Sequence, residues 1–347
     1  MKAVIFSYTR SGARLSLRVS SCLQTLNYAT ELFTPEKYVD VDSSLKISSG
    51  CKEDARRAFE DSQVIIYIGS CGIAVRAIAP FVKNKTVDPA VISIDEQGSF
   101  VIPLLSGHIG GANGIARIIA QHINAQAIIT TATDINGLFA VDEWATKNNV
   151  HIGSMHAAKE VAAALVDKEI IGLISKYEVN GDIPKGIVRN KNARVGITIG
   201  DNDELKPFAI TLNLMPRLYY LGIGCRRNTA MEDIENLVLQ NLDELKINIK
   251  AIAGIASVDL KKDEEGLLAF AEKYKLPIKF FTAVELESQQ GEFSSSEFVQ
   301  SIVGVSNVCE RSAAAVSGGA KIVLPKTSRN GVTLAIAKKD WLVNFNK

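Results

Sequence analysis

Short apolar runs rich in valine and isoleucine recur along the chain, and many are followed by a glycine or small polar turn and then a helix-periodic stretch. That rhythm predicts strands joined by crossover helices. In the first part it gives a strand over residues 2–8, a helix over 12–26, a strand over 64–69 and a helix over 73–83. Strands over 91–95 and 100–103, paired or sequential, a helix over 111–123 and a strand over 127–131 follow. The pattern thins from 133 to 214, where helices over 142–148 and 157–166 and strands over 170–175 and 194–199 are expected. A charged, turn-rich stretch over 200–207 and then Pro216 mark a boundary. Beyond it the pattern predicts strands over 218–223, 249–257, 278–281, 321–325 and 332–338, with helices over 230–239, 264–274, 295–301 and 308–318.

The fold class is therefore α/β: two to three α/β domains with mainly parallel sheets flanked by helices. The expected divisions are an N-terminal domain with glycine-rich turns over 1–135, a middle α/β segment over 136–215 and a C-terminal α/β domain over 216–347. A solenoid is excluded, because no repeat period of roughly 20 to 50 residues is present.

Charge narrows the classes of partner. The 39 basic and 38 acidic residues nearly cancel, so no global field draws the chain to nucleic acid or an anionic membrane, and an acidic ligand needs a local cluster. The apolar run at the start is too short for a signal-peptide core, and residues 64–75 are too few to span a bilayer, so a cytoplasmic protein is expected. Cys22, Cys51, Cys71, Cys225 and Cys309 are scattered, without a CxxC pair or neighbouring histidine ligands. Neither a disulfide framework nor a protein-bound metal is expected.

Ligands of open α/β sheets sit beyond the carboxyl ends of strands, which directs attention to four turns. The first runs from Gly69 to Gly72 and opens a helix carrying Arg76; it is either an anion-friendly helix start or a plain tight turn. The second holds Ser106, Gly107, His108, Gly110, Gly111 and Asn113. There an imidazole among glycines at a helix start offers acid–base chemistry and oxyanion donors, the alternative being a helix cap. In the third, Thr131 and Asp134 either orient a substrate or cap the next turn. The fourth contains Gly222, Gly224, Arg226 and Arg227; it shares only two glycines with a dinucleotide fingerprint, and its arginine forks suit carboxylates better. Ser106 is not in a GxSxG elbow, and no histidine partner for Cys225 is identifiable, so a hydrolase triad finds no support.

The stretches 69–76, Asp95-Glu96-Gln97-Gly98, 104–113 and Thr130-Thr131-Ala132-Thr133-Asp134 closely resemble, in order and spacing, the N-terminal part of the CbiG family of cobalt-precorrin-5A hydrolases. Residues 222–227, 256–261, 263–268, Pro325-Lys326 and 331–337 are similar to its C-terminal domain. The likeness is carried by 50–135 and 217–340. Cys71 departs from it, standing where the family often has another small residue.

The resemblance implies a step of anaerobic cobalamin synthesis. The δ-lactone of a cobalt tetrapyrrole is hydrolysed, and the extruded carbon with its methyl leaves as acetaldehyde. Cobalt belongs to the substrate, so no cofactor is implied. In this reading His108 is the candidate base, Asp134 its orienter and Ser106 a further catalytic candidate. Gly69, Gly72, Arg76, Gly107, Gly110, Gly111, Asn113, Thr131, Gly222, Gly224, Arg226, Arg227 and Lys326 bind the substrate. Other enzymes of the pathway and a second copy of the chain are the candidate protein partners. A non-catalytic tetrapyrrole carrier or scaffold and a nucleotide-binding oxidoreductase are the rival functions.

Overall fold

The computed structural model describes residues 1–84, 87–108, 110–290, 293 and 307–346, with Cys51 by its main chain only. The helix expected over 295–301, and Ile109 of the second turn, lie outside the described residues. The chain forms two compact units, Met1–Glu143 and Trp144–Lys347.

In the first unit β1 (Lys2–Ser7), α1 (Arg10–Thr25), β2 (Ala29–Thr34), β3 (Leu45–Ile47), α2 (Cys51–Asp61), β4 (Val64–Ile68) and α3 (Cys71–Ile78) are followed by β5 (Ala90–Ile94) and β6 (Phe100–Leu105). α4 (Ala112–Ile123), β7 (Gln126–Ala127), α5 (Ala132–Ile135) and α6 (Val141–Lys147) complete the run. The sheet has seven strands in the order β3-β2-β1-β4-β5-β6-β7. All of β4 and β5 is buried, as is β1 beyond Lys2, which is why these strands read as unbroken apolar runs rather than alternating ones. One face packs Ile5, Ile66 and Ile92 against Leu15 and Val19 of α1 and Ile115 and Ile119 of α4. The other packs Val4, Ile65 and Tyr67 against Ala55 and Ala58 of α2 and Ala74 and Ala77 of α3.

The last two strands, β6 and β7, reverse. β6 runs antiparallel to β5, with Val91 opposite Leu105 and Ile94 opposite Val101. The end of β6 therefore lies at the edge where the parallel strands begin, while the residues after β4 lie at the edge where they end. The strand expected over 127–131 closes after Ala127, and Thr131 instead sits at the start of α5.

The second unit carries two five-stranded sheets. β8 (Val150–Ile152), α7 (Met155–Val166), β9 (Ile171–Ser175), β10 (Ile187–Val188), β11 (Val195–Ile199) and β12 (Ile210–Pro216) build the first, in the order β10-β9-β11-β12-β8. Pro216 ends β12, pairing with Val150 of the antiparallel edge strand β8, and the second sheet starts at Tyr219. The second sheet, in the order β15-β14-β13-β17-β16, is made of β13 (Tyr219–Cys225), β14 (Ile252–Val258), β15 (Ile278–Phe281), β16 (Lys321–Arg329) and β17 (Val332–Lys338). Its helices are α8 (Met231–Glu244), α9 (Glu265–Tyr274), α10 (Ala283–Glu287) and α11 (Val308–Ser317).

A buried carboxylate joins the two sheets. Asp201, after β11, is 3% exposed and receives the Lys176 ammonium and the Tyr177 hydroxyl from the first sheet, while Lys338 of β17 stands 3.8 Å away. Its main-chain carbonyl also accepts from Asn248 N–H at 2.8 Å. Burial pushes the Asp201 carboxyl up, but the hydrogen bonds from Lys176 and Tyr177 outweigh it and hold the group below the usual carboxylate range.

Candidate active site

The turn between β6 and α4 is folded tightly by its small residues. A Cβ on Gly110 would stand 2.5 Å from Ser106 Cβ, and one on Gly107 2.7 Å from Asn113 Oδ1, so any side chain at either place would push the turn open. Ser106 itself adopts a left-handed backbone at φ 54°. Its hydroxyl donates to the Asp88 carbonyl at 2.9 Å, pinning the turn to the segment before β5. Ser106 thereby braces the turn, with its hydroxyl proton committed to a main-chain carbonyl. Gly111 is the N-cap of α4, and Gly111 N–H donates to the His108 carbonyl at 2.9 Å.

This turn presents His108 between two acids. Nε2 donates to Asp134 Oδ2 at 2.8 Å, and Nδ1 lies 3.2 Å from Asp142 Oδ1. The three side chains are 13%, 10% and 11% exposed, so most of the cluster is shielded while a corner of it meets solvent. Asp134 is also held by Asn113 Nδ2 at 3.0 Å and by the Arg117 guanidinium at its other oxygen. Asn113 further donates to Thr131 Oγ1 at 3.1 Å, and Thr133 Oγ1 lies 3.4 Å from His108 Nε2. The structure thus brings together Ser106, Gly107, His108, Gly110, Gly111, Asn113, Thr131 and Asp134, as expected of one site.

Sequence reasoning missed Asp142 and Arg117. Arg117 was findable, because it lies one helical turn beyond Asn113 on the same face of α4. Asp142 was not, since it falls beyond the expected boundary at 135 and only the path of α5 and α6 returns it to His108. The first compact unit accordingly runs on to Glu143.

The hydrogen bond to Asp142 is the main cause that raises the His108 pKa to about 9; burial opposes it, and Asp134 adds to it. A ring with its pKa raised to about 9 carries the extra proton at neutral pH and donates from both nitrogens. Asp134 is pushed up by burial, yet Arg117 and His108 hold it below the usual carboxylate range. A raised histidine pKa contributes stability that is complete below the unfolded value near 6.5 and is lost as pH rises through about 9. Across that window the wild-type unfolding free energy should fall by up to about 3 kcal/mol relative to His108→Gln, at 1.36 kcal/mol per unit. Urea midpoints taken at half-unit pH steps check this, and parallel curves for the two proteins would refute it.

The remaining expected residues form separate groups. Gly69, Gly72 and Arg76 lie at the far edge of the same sheet, after β4, where Gly69 N–H donates to the Ile94 carbonyl at 2.8 Å. The length of a five-residue strand, about 17 Å, separates them from the His108 turn. They therefore do not share a pocket lining with His108, because β6 reverses. Arg76 is exposed and carries no ion pair among the described residues.

In the second unit Gly222 and Gly224 stand inside β13 and not in a turn. A Cβ on Gly222 would fall 1.8 Å from the Cys309 carbonyl of α11, so this glycine admits a helix backbone rather than a ligand. Arg227 is likewise committed within the protein, to Asp263 at 2.7 Å, Glu264 at 3.2 Å and the Leu260 carbonyl at 2.9 Å. Arg226 is exposed and unpaired among the described residues, its stem lying over Gly331. Lys326 is half-buried, and its main-chain N–H donates to Glu310 Oε1 at 2.7 Å. Burial pushes the Cys225 thiol up, in keeping with a packing role. No group of three or more metal-ligating side chains occurs among the described residues, and no helix among them is long and apolar enough to cross a membrane.

Three family models match the chain in succession: the cobalamin synthesis G N-terminal model over residues 53–134, the cobalamin biosynthesis central region over 139–216 and the cobalamin synthesis G C-terminus over 219–337. The cobalt-precorrin-5A hydrolase of Salmonella typhimurium is 34% identical over 345 residues, 96% of each chain. That of Priestia megaterium is 31% identical over 297 residues, 80% of this chain and 79% of its own. A probable cobalt-precorrin-5A hydrolase of Methanocaldococcus jannaschii is 29% identical, covering 79% of this chain and 85% of its own.

Proposed function

This chain belongs to the cobalamin synthesis G family, and from that membership we propose that it is a cobalt-precorrin-5A hydrolase of cobalamin biosynthesis. The observation that carries the reading is the similarity to the Salmonella protein across 96% of both chains. The enzyme takes the cobalt tetrapyrrole as substrate, the metal arriving with it, and works in the cytoplasm.

The finer reaction is the opening of a δ-lactone followed by loss of acetaldehyde. In the first step water adds to the lactone carbonyl and the acyl carbon–oxygen bond breaks. His108 gives its Nε2 proton to the departing oxygen, so the freed group is a hydroxyl and the ring is left neutral. In the second step the neutral ring takes that hydroxyl proton back while the carbon–carbon bond breaks. The aldehyde carbonyl forms, the electron pair stays on the macrocycle carbon, and solvent protonates it. One water is consumed, one carboxylate and one acetaldehyde are produced, and His108 ends as the imidazolium it began as.

A ring poised near pH 9 suits this cycle, since it starts and finishes protonated at neutral pH. Asp134 can release Nε2 to the substrate without being left unpaired, because Arg117 and Asn113 still hold it. Within the second unit taken by itself, Arg226 is an exposed cation free to take a carboxylate. Arg227 is not, being occupied by Asp263 and Glu264.

Purified protein mixed with the lactone substrate should release one acetaldehyde per macrocycle over many turnovers. A carrier would instead shift the spectrum stoichiometrically with no aldehyde, and that result would overturn the catalytic reading.

A further inference from the structure

We infer that Asp142 is the positioning residue of the site: it anchors His108 through Nδ1 and so leaves Nε2 as the nitrogen that exchanges protons with the substrate. The inference rests on the acid–base role proposed above for His108, and it reverses the expectation that Asp134 is the orienter.

The asymmetry of the two carboxylates is the argument. Among the described residues, several donors and acceptors converge on Nε2: Asp134 at 2.8 Å, Thr133 Oγ1 at 3.4 Å and, through Asp134, Asn113 and Arg117. Asp134 keeps two donors when Nε2 turns away, so releasing that bond leaves no stranded charge. Nδ1 faces Asp142 Oδ1 at 3.2 Å from a different element, the start of α6, whose backbone is fixed in part by Glu143 N–H on the same carboxyl at 3.1 Å. The Asp142 side chain is 11% exposed, and a carboxylate so shielded is favoured by a ring N–H that stays on it throughout the cycle. Whenever the ring is neutral, the remaining proton should therefore stay on Nδ1, which makes Nε2 the basic lone pair. Among the described residues the charged side chains at the ring or at its acids are Asp134 of α5, Asp142 of α6 and Arg117 of α4, and Asp142 is the one at Nδ1.

Two readouts separate this from a merely structural tie. On the wild-type chain without substrate, nitrogen chemical shifts of the His108 ring above its transition should show the Nδ1–H form predominating. This measurement needs no variant to fold, and a ring that keeps its proton on Nε2 would overturn the assignment. With substrate, Asp142→Asn should lower kcat for acetaldehyde release by roughly a hundredfold or more while KM changes less than about threefold. The proton affinity of His108 should fall at least about tenfold in the same variant, and Asp142→Glu should recover part of kcat. An Asp142→Asn protein with the wild-type titration and kcat overturns the proposal. If the wild-type chain releases no acetaldehyde while the ring shows the Nδ1–H form, the anchor stands and the proposed reaction falls.

Discussion

His108→Ala protein is expected to fold yet release acetaldehyde at least about a hundredfold more slowly than wild type, within the 10²–10⁴ range typical of a lost acid–base group. The loss should lie in kcat, because the charge of the ring is already paired with two protein carboxylates in the resting site and is not offered to a substrate acid. Deleting the imidazole leaves Asp134 with Arg117 and Asn113 but takes a charged partner from Asp142, so some stability goes with the activity. His108→Gln, which can still donate to one acid, separates the two effects. It should recover part of the stability and none of the turnover. Turnover at wild-type rate in either variant would remove the histidine from the mechanism.

Gly222→Ala is expected to be the most damaging single-methyl change in the second unit. The added carbon would sit 1.8 Å from the Cys309 carbonyl and 2.7 Å from Ala313 N, both main-chain atoms of α11, so no side-chain rotation relieves the overlap. Either α11 lifts from the sheet, exposing Ala256, Val258 and Val308 on that face, or the chain fails to fold; the cost should exceed about 4 kcal/mol. Chemical denaturation of the purified variant, or its absence from the soluble fraction, reads this directly. A variant of wild-type stability would mean that the glycine is not a packing residue.

The fold was legible where burial makes the pattern loud. β4 and β5 are buried at every position, and their apolar runs announced themselves. β3, β8 and β10 have only two or three residues, too few for any periodicity to register. β12 was hidden for another reason: its terminal proline reads as a break, although an antiparallel edge pairing accommodates it. The site divides in the same way. His108, Asp134, Asn113 and Thr131 could be gathered because strand-end turns concentrate chemistry. Which edge each turn occupies depends on strand direction, and nothing in residues 100–105 says that this strand runs backwards. Gly222 shows the matching error in the other direction, a glycine chosen for the backbone of a neighbouring helix looking, in sequence, like one chosen for a ligand.

Asp201 limits how far this protein can be taken apart. Its donors come from residues on both sides of the junction between β12 and β13, a place where the sequence patterns divide cleanly. Cutting there would leave Asp201 with Lys176 and Tyr177, and would take the charge of Asp201 away from Lys338, which stands over Tyr219. The two segments are modular as text but not as matter, and any shuffling of them between relatives has to carry the aspartate and the lysine as a matched pair.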